Sequence, residues 1–230
     1  MNKAVVFWSG GKDAAMALHR AQQDPQTQVV GLVTTLNKGS NETAGHRIKE
    51  AVLDRQALQT GLPLRKMWVN EMPDNNEYEN ELLKIYAQLK NEGIRIVIYG
   101  DIFLQDIKTY REDLLHKSGM TAHFPLWQIE SGELMNDFME SGFKAITCCI
   151  DRGVLDVPLL GRELDTRFLE NLPEGVDPAG ENGEFHTFCF DGPVFKNAVE
   201  FETGKTHYES FDIKSIKQTV TNTFAYIDII

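Results

Sequence analysis

Ser9-Gly10-Gly11-Lys12-Asp13 joins two adjacent glycines to a lysine and an aspartate, between an apolar run and a helix-like stretch. The chemistry suited to that pattern is phosphate binding. Glycines let backbone N–H groups converge on an anion, the first turn of a following helix adds positive potential, and Lys12 adds a full charge. The spacing is neither G-x-x-x-x-G-K-[ST] nor G-x-G-x-x-G. The same residues also suit a tight strand-to-helix turn with a solvated lysine. A second group, Glu181, Glu184 and His186, sets two carboxylates and an imidazole on a glycine-bounded turn. These types suit Mg²⁺, a substrate amine or general-base work. Asn182-Gly183 between them is also a two-residue hairpin signal, on which acids are commonly just solvated. Alternation along a following strand would put Glu184 and His186 on one face.

Elements that could position these residues follow from the patterning. Ala4–Trp8 and Val29–Thr35 read as buried strands, and Ala14, Ala17, Leu18 and Ala21 between them mark one helical face. Ile48, Ala51 and Val52 suggest a second helix. Tyr78, Leu82, Ile85, Tyr86 and Leu89 suggest a third that ends at Gly93, before a strand over Ile94–Tyr99. His123–Trp127 and Ala145–Ile150 read as later strands, with Leu134, Phe138 and Met139 on a helix between. Alternating strands and helices imply a mostly parallel sheet covered on both faces, with ligands at the carboxyl ends of its strands. From about Leu172 glycines and prolines crowd in, then Phe185–Phe190, Ala198–Glu202, Tyr208–Ile213 and Thr219–Ile229 read as strands, with Gly204-Lys205 as a hairpin turn. The terminal Ile227–Ile230 segment suits either an intramolecular strand or pairing across a homodimer.

Composition bounds the class. The chain has 230 residues, 42% hydrophobic and 25% charged, which is ordinary globular usage. Its net charge of -11, without a Lys/Arg cluster, argues against nucleic acid as partner. No stretch reaches the ~20 apolar residues of a membrane span. The N-terminal apolar run is too short for a signal-peptide core, and three cysteines, two of them adjacent, form no disulfide framework. The expected location is the cytoplasm. Cys148-Cys149 reads as core, and His186-x-x-Cys189 falls short of a structural zinc set. Arg111 can grip a phosphate or carboxylate, although a surface ion pair is the commoner fate.

The loop Ser9–Asp13 resembles the SGGxDS loop of the PP-loop ATP pyrophosphatases, with Ala14 where the motif has its second serine. Gly100-Asp101-Ile102, Thr109-Tyr110-Arg111, Pro125-Leu126-Trp127, His46, Gly61-Leu62-Pro63-Leu64 and above all Gly180–Thr187 are similar to the diphthine–ammonia ligase family within that group. The resemblance covers nearly the whole chain. It implies an α/β fold: a parallel, doubly wound, Rossmann-like sheet of the HUP/PP-loop type with a smaller mixed, β-rich C-terminal part. A PP-loop adenine-nucleotide-binding domain over 1–105 and a substrate-side domain over 106–230 are expected. Eukaryotic relatives are expected to carry extra C-terminal domains, which would make a chain ending at Ile230 a minimal form.

The implied activity is an ATP-dependent, AMP-forming amide ligase. A carboxylate is adenylated and then amidated by ammonia, as when diphthine on elongation factor 2 becomes diphthamide. The resemblance assigns catalytic roles to Lys12, Glu181, Glu184 and His186, and ATP to Ser9, Gly10, Gly11, Lys12, Asp13, Thr34, His46, Gly100 and Asp101. Tyr110, Arg111 and Asn182 fall to the substrate, and Asp101 to Mg²⁺. In a host without diphthamide the acceptor would be another small carboxylic acid or a tRNA. A reading of another class, a nucleotide sensor without chemistry, draws on Ala14.

Overall fold

The structure is a computed structural model that describes residues 1–71, 73–214 and 219–230. Its first part alternates β1 (Asn2–Phe7), α1 (Lys12–Gln23), β2 (Thr27–Asn37), α2 (Glu50–Thr60), β3 (Leu64–Val69), α3 (Asn75–Asn91), β4 (Ile96–Ile98), α4 (Gln105–Lys117) and β5 (Thr121–His123). These strands form a parallel sheet in the order β3-β2-β1-β4-β5. The order reverses at β1, so the gap between the carboxyl ends of β1 and β4 is the topological switch point where such sheets bind ligands. After α5 (Ser131–Glu140) comes a second, antiparallel sheet, order β7-β6-β9-β8, from β6 (Lys144–Asp151), β7 (Phe185–Asp191), β8 (Thr203–Lys214) and β9 (Thr219–Ile229), with a short helix α6 (Thr166–Glu170) between β6 and β7. The expected fold class is thus the observed one.

Local chemistry explains the main boundaries. Ala14, Ala17, Leu18 and Ala21 of α1 are all buried, as their spacing requires. Asp74 caps α3 by accepting from the Glu77 N–H at 2.7 Å. Past the end of α3, Gly93 takes φ +79°. The two faces of the parallel sheet feed two cores. On one, Val5, Val33 and Tyr99 pack under α3 and α4; on the other, Val6, Trp8 and Leu32 join α1, α2 and the antiparallel sheet in a single cluster that includes Phe188 and Phe195. The two sheets therefore share a core, to which each fully buried large apolar side chain contributes about 1.5–3 kcal/mol.

Three local expectations fail. The strand expected over His123–Trp127 ends at His123, because Pro125 has no N–H for a ladder and the Trp127 N–H bonds back to the Phe124 carbonyl in a turn. Ala198–Glu202 forms no strand: the Val199 N–H bonds the Phe190 carbonyl, and Glu202 exchanges two backbone hydrogen bonds with Ile230. Gly204-Lys205 lies inside β8, where Thr203 to Thr206 opposes Ile229 to Ile227, so the glycine marks a bulge and not a turn. The connection between β8 and β9 lies outside the described residues. Ile227 and Ile229 pair within the chain. No helix among the described residues is long and apolar enough to cross a membrane.

Candidate active site

A cleft of about 660 Å³ opens at the switch point, within the usual size of a small-ligand site. Its floor is the loop between β1 and α1. Gly10 has φ +85°, and a Cβ there would come 2.8 Å from Ile48 Cδ1 and 2.9 Å from Gln56 Oε1, so conformation and space both demand glycine. A Cβ on Gly11 would lie 2.6 Å from His46 Cε1. A Cβ on Gly100, just past β4, would lie 2.7 Å from the Asp13 carbonyl carbon, so β4 ends directly against the first turn of α1.

Hydrogen bonds lock this loop to the antiparallel sheet. The Gly10 carbonyl accepts from Cys189 N and from Gln56 Nε2, both at 2.9 Å. Gln56 also donates to the Cys189 carbonyl and accepts from Trp8 Nε1. Ser9 Oγ accepts from the Gly11 N–H at 3.2 Å, and Thr187 Oγ1 accepts from the Lys12 N–H at 3.0 Å. The Lys12 side chain is 3% exposed, with Nζ 2.7 Å from Asp13 Oδ1 and 5.9 Å from the centre of the Phe185 ring.

One wall is made by two imidazoles. His46 Nδ1 lies 2.8 Å from the Thr187 carbonyl, which can only accept, so Nδ1 carries the proton and Nε2 is left as an acceptor. The His186 ring sits 4.7 Å from it. Burial lowers the pKa of both; His186 is pushed down to about 3, with His46 and Lys12 adding to the effect. Both are therefore neutral near pH 7. Above them, Glu181 Oε1 accepts from the N–H groups of Ile102 (2.9 Å) and Phe103 (3.1 Å), tying the acidic loop to the loop after β4. Burial raises its pKa, and those two bonds oppose the rise.

The opposite wall holds Asp101, paired with Arg111 at 2.8 Å. Burial raises the Asp101 pKa, with Arg111 acting against it and Asp13 adding to it. The Arg111 guanidinium lies 4.2 Å from the Tyr99 ring centre. Thr34, fully buried within β2, has a hydroxyl with no hydrogen-bond partner in the cleft wall.

The structure thus brings Ser9, Lys12, Asp13, Thr34, His46, Gly100, Asp101, Arg111, Glu181, Asn182 and His186 to one cleft, with Gly10 and Gly11 beneath it. It does not bring Glu184 or Tyr110 there. Glu184 precedes β7, so strand alternation does not reach it; its carboxylate accepts from Asp177 N, Asn182 N and Asn182 Nδ2 at 3.0–3.1 Å. Tyr110 is on the outer face of α4, its pKa raised to about 12 by desolvation and by Glu79.

Sequence reasoning missed Gln56, Thr187 and Tyr78. Gln56 is a fully buried polar side chain four residues after Val52, on the buried face of α2, where its polar type gives no core signal. Tyr78, which lines the cleft, carried only a core signal. Thr187 stood in the quoted Gly180–Thr187 block without a role.

These residues fit a nucleoside triphosphate. The cradle a Cβ would fill, the start of α1, the buried Lys12 and the unsatisfied Thr34 hydroxyl all suit one. Among the described residues no group of three or more His, Cys, Asp or Glu could hold a metal by itself. Asp13 and Asp101 could supply the one or two carboxylates with which Mg²⁺ usually binds beside phosphates.

Residues 2–122 match the sequence profile of the diphthamide synthase N-terminal domain, and residues 130–221 match that of the diphthamide synthase C-terminal domain. The chain is 26% identical over 242 residues to the diphthine–ammonia ligase of Rattus norvegicus, a match covering 91% of this chain and 86% of the relative. It is 26% identical over 236 residues to the Homo sapiens protein of the same name, with the same coverage. To the Schizosaccharomyces pombe diphthine–ammonia ligase it is 28% identical over 134 residues, 56% of this chain and 22% of that one. The extra length expected of eukaryotic relatives is present in the Schizosaccharomyces pombe protein, of which 22% is matched, and has no room in the rat and human proteins, of which 86% is matched.

Proposed function

The chain belongs to the diphthamide synthase family, and from that premise we propose that it is an ATP-dependent, AMP-forming amide ligase. One observation carries the reading: a glycine-built phosphate cradle and the acidic loop around Glu181 face one cleft at the switch point. A substrate carboxylate oxygen attacks the α-phosphorus of ATP, the bond to the β-phosphoryl oxygen breaks, and pyrophosphate leaves. Ammonia then attacks the acyl carbon, the C–O bond to AMP breaks, and the nitrogen loses a proton to give the amide.

The Lys12 ammonium and the first-turn N–H groups of α1 after the Lys12 N–H, which Thr187 already holds, neutralise the phosphates, so that an anion can approach the phosphorus. Mg²⁺, when bound, would add charge neutralisation beside Asp13 and Asp101. His46 and His186 stay neutral and offer acceptors that do not compete with Lys12 for the phosphates. Glu181 holds the loop after β4 and faces the acceptor side, where Asp13, Asp101 and Glu181 suit a cationic substrate such as the quaternary ammonium of diphthine. Glu184 orients Asn182 from behind. The acceptor is diphthine on elongation factor 2 where the host makes it and another carboxylic acid otherwise; the acidic chain disfavours tRNA.

A nucleotide sensor without chemistry is the second reading. Ala14, buried in the cleft where the motif has a serine hydroxyl, favours it. Calorimetry with ATP and AMP plus Mg²⁺, followed by a pyrophosphate assay with candidate carboxylates and ammonia, tests both. Lys12→Ala is expected to weaken ATP by roughly 10- to 100-fold, as loss of charge-assisted hydrogen bonds implies. Binding without pyrophosphate release across the carboxylates would favour the sensor. Wild type that binds neither nucleotide would end both readings.

A further inference from the structure

The segment between β2 and α2 folds back on itself. The Asn37 N–H bonds the Glu42 carbonyl, Thr43 N bonds the Ile48 carbonyl, Glu50 N bonds the Asn41 carbonyl, and Glu42 bridges Lys49. Its tip carries two left-handed residues, Gly45 (φ +71°) and Arg47 (φ +52°). For an arginine that conformation is strained by its Cβ, so something outside the tip must hold it. The outside holds are visible. Arg47 Nη2 lies 2.6 Å from Glu209 Oε2 on β8, and its guanidinium is 4.9 Å from the Tyr226 ring centre on β9. The neighbouring His46 turns to the other side and lies over Gly11.

We infer that Arg47 is a positioning residue: anchored on Glu209 and Tyr226 of the antiparallel sheet, it holds the Thr43–Ile48 tip closed so that His46 covers the phosphate loop. The inference rests on the nucleotide reading above for its consequence, but the anchoring can be read without nucleotide. Arg47 reaches only the rim, 38% exposed, so removing its side chain leaves the buried core intact.

Arg47→Gly is the telling variant, because it removes the anchor and the backbone strain together, and the fold should melt no lower than wild type. His46 reports the tip. Facing it are the Thr187 carbonyl, Asp13 and Lys12, with His186 beside it, and burial holds its pKa down. In the ATP-free variant, NMR titration should find the His46 midpoint moved up toward the ordinary 6.5, as an opened tip hydrates the ring. Calorimetry should find ATP weakened several-fold. Arg47→Lys, which keeps the charge for Glu209 without the planar group for Tyr226, should recover part of both.

A role confined to fold stability would move melting and leave the titration alone. If the His46 midpoint in Arg47→Gly matches wild type, or moves while the ATP Kd does not, the inference is overturned. If wild type binds no ATP, the proposed function falls, and the titration still decides whether Arg47 holds the tip.

Discussion

The two sides of the cleft are built by different means. Ser9–Asp13 is shaped by backbone: Gly10 is left-handed and has no room for a Cβ, its carbonyl is tied to β7 and Gln56, and Gly100 abuts the first turn of α1. Gly180–Thr187 is shaped by side chains: Glu181 ties down two N–H groups of another loop, Glu184 gathers three donors of its own, and Thr187 receives the Lys12 N–H. A backbone-built site has no graded response, since a single methyl meets fixed atoms. A side-chain-built site can lose one contact at a time. The phosphate side should therefore fail abruptly under substitution, and the acidic side by degrees.

The sharpest break comes from Gly10→Ala. The added Cβ would meet Ile48 and Gln56 in a left-handed conformation, and overpacking with backbone strain is expected to cost about 2–4 kcal/mol. Thermal unfolding should shift down by roughly 5–15 °C, and calorimetry at a temperature where the variant is folded should find no ATP binding. A variant that melts and binds like wild type would show the loop to be as adaptable as the acidic side.

Glu184→Ala should be milder and of another kind. It leaves Asp177 N and the Asn182 amide groups without their acceptor, which is expected to cost about 1–3 kcal/mol. Because Glu184 is not in the cleft wall, ATP affinity should hold within about twofold, while any carboxylate-dependent turnover weakens through a displaced Asn182. Chemical denaturation beside calorimetry separates the two quantities. A collapse of ATP affinity at unchanged stability would put Glu184 among the groups that touch nucleotide.

The same contrast explains what the sequence revealed. The phosphate loop was legible because its constraint is local: adjacent glycines between a strand pattern and a helix pattern can be seen in five letters. The parallel sheet was legible for a like reason, since each strand and each amphipathic helix declares itself in its own residues. On the acidic side, Glu181 and Glu184 flank the same Asn182-Gly183 turn, and no local pattern tells which carboxylate faces the cleft. Tertiary hydrogen bonds decide it. Gln56 was invisible because its three partners come from Trp8 just after β1, the phosphate loop and β7. Gly204-Lys205 misled because a glycine signals a turn and a bulge alike, and the register of β8 on β9 is a long-range fact.

The smallest effect concerns Glu181, which ties the acidic side to the loop after β4. Burial raises the Glu181 pKa above its ordinary 4.5, with the Ile102 and Phe103 N–H groups opposing the rise. Folded Glu181 thus holds its proton to higher pH than unfolded Glu181. Between the two values the folded state binds more protons, so this contribution is fully present below the unfolded value and is lost as pH rises through the folded one. Glu181→Gln keeps an acceptor for both N–H groups and removes the charge. The variant's unfolding midpoint, relative to wild type, should therefore improve from pH 4 to pH 7, and thermal melts across that range measure it. A relative midpoint that falls instead would mean that the ionised carboxylate is held more firmly by those two N–H groups than burial opposes it. Glu181 would then be a tie of the same strength class as the phosphate loop, and the acidic side would no longer be the part that fails by degrees.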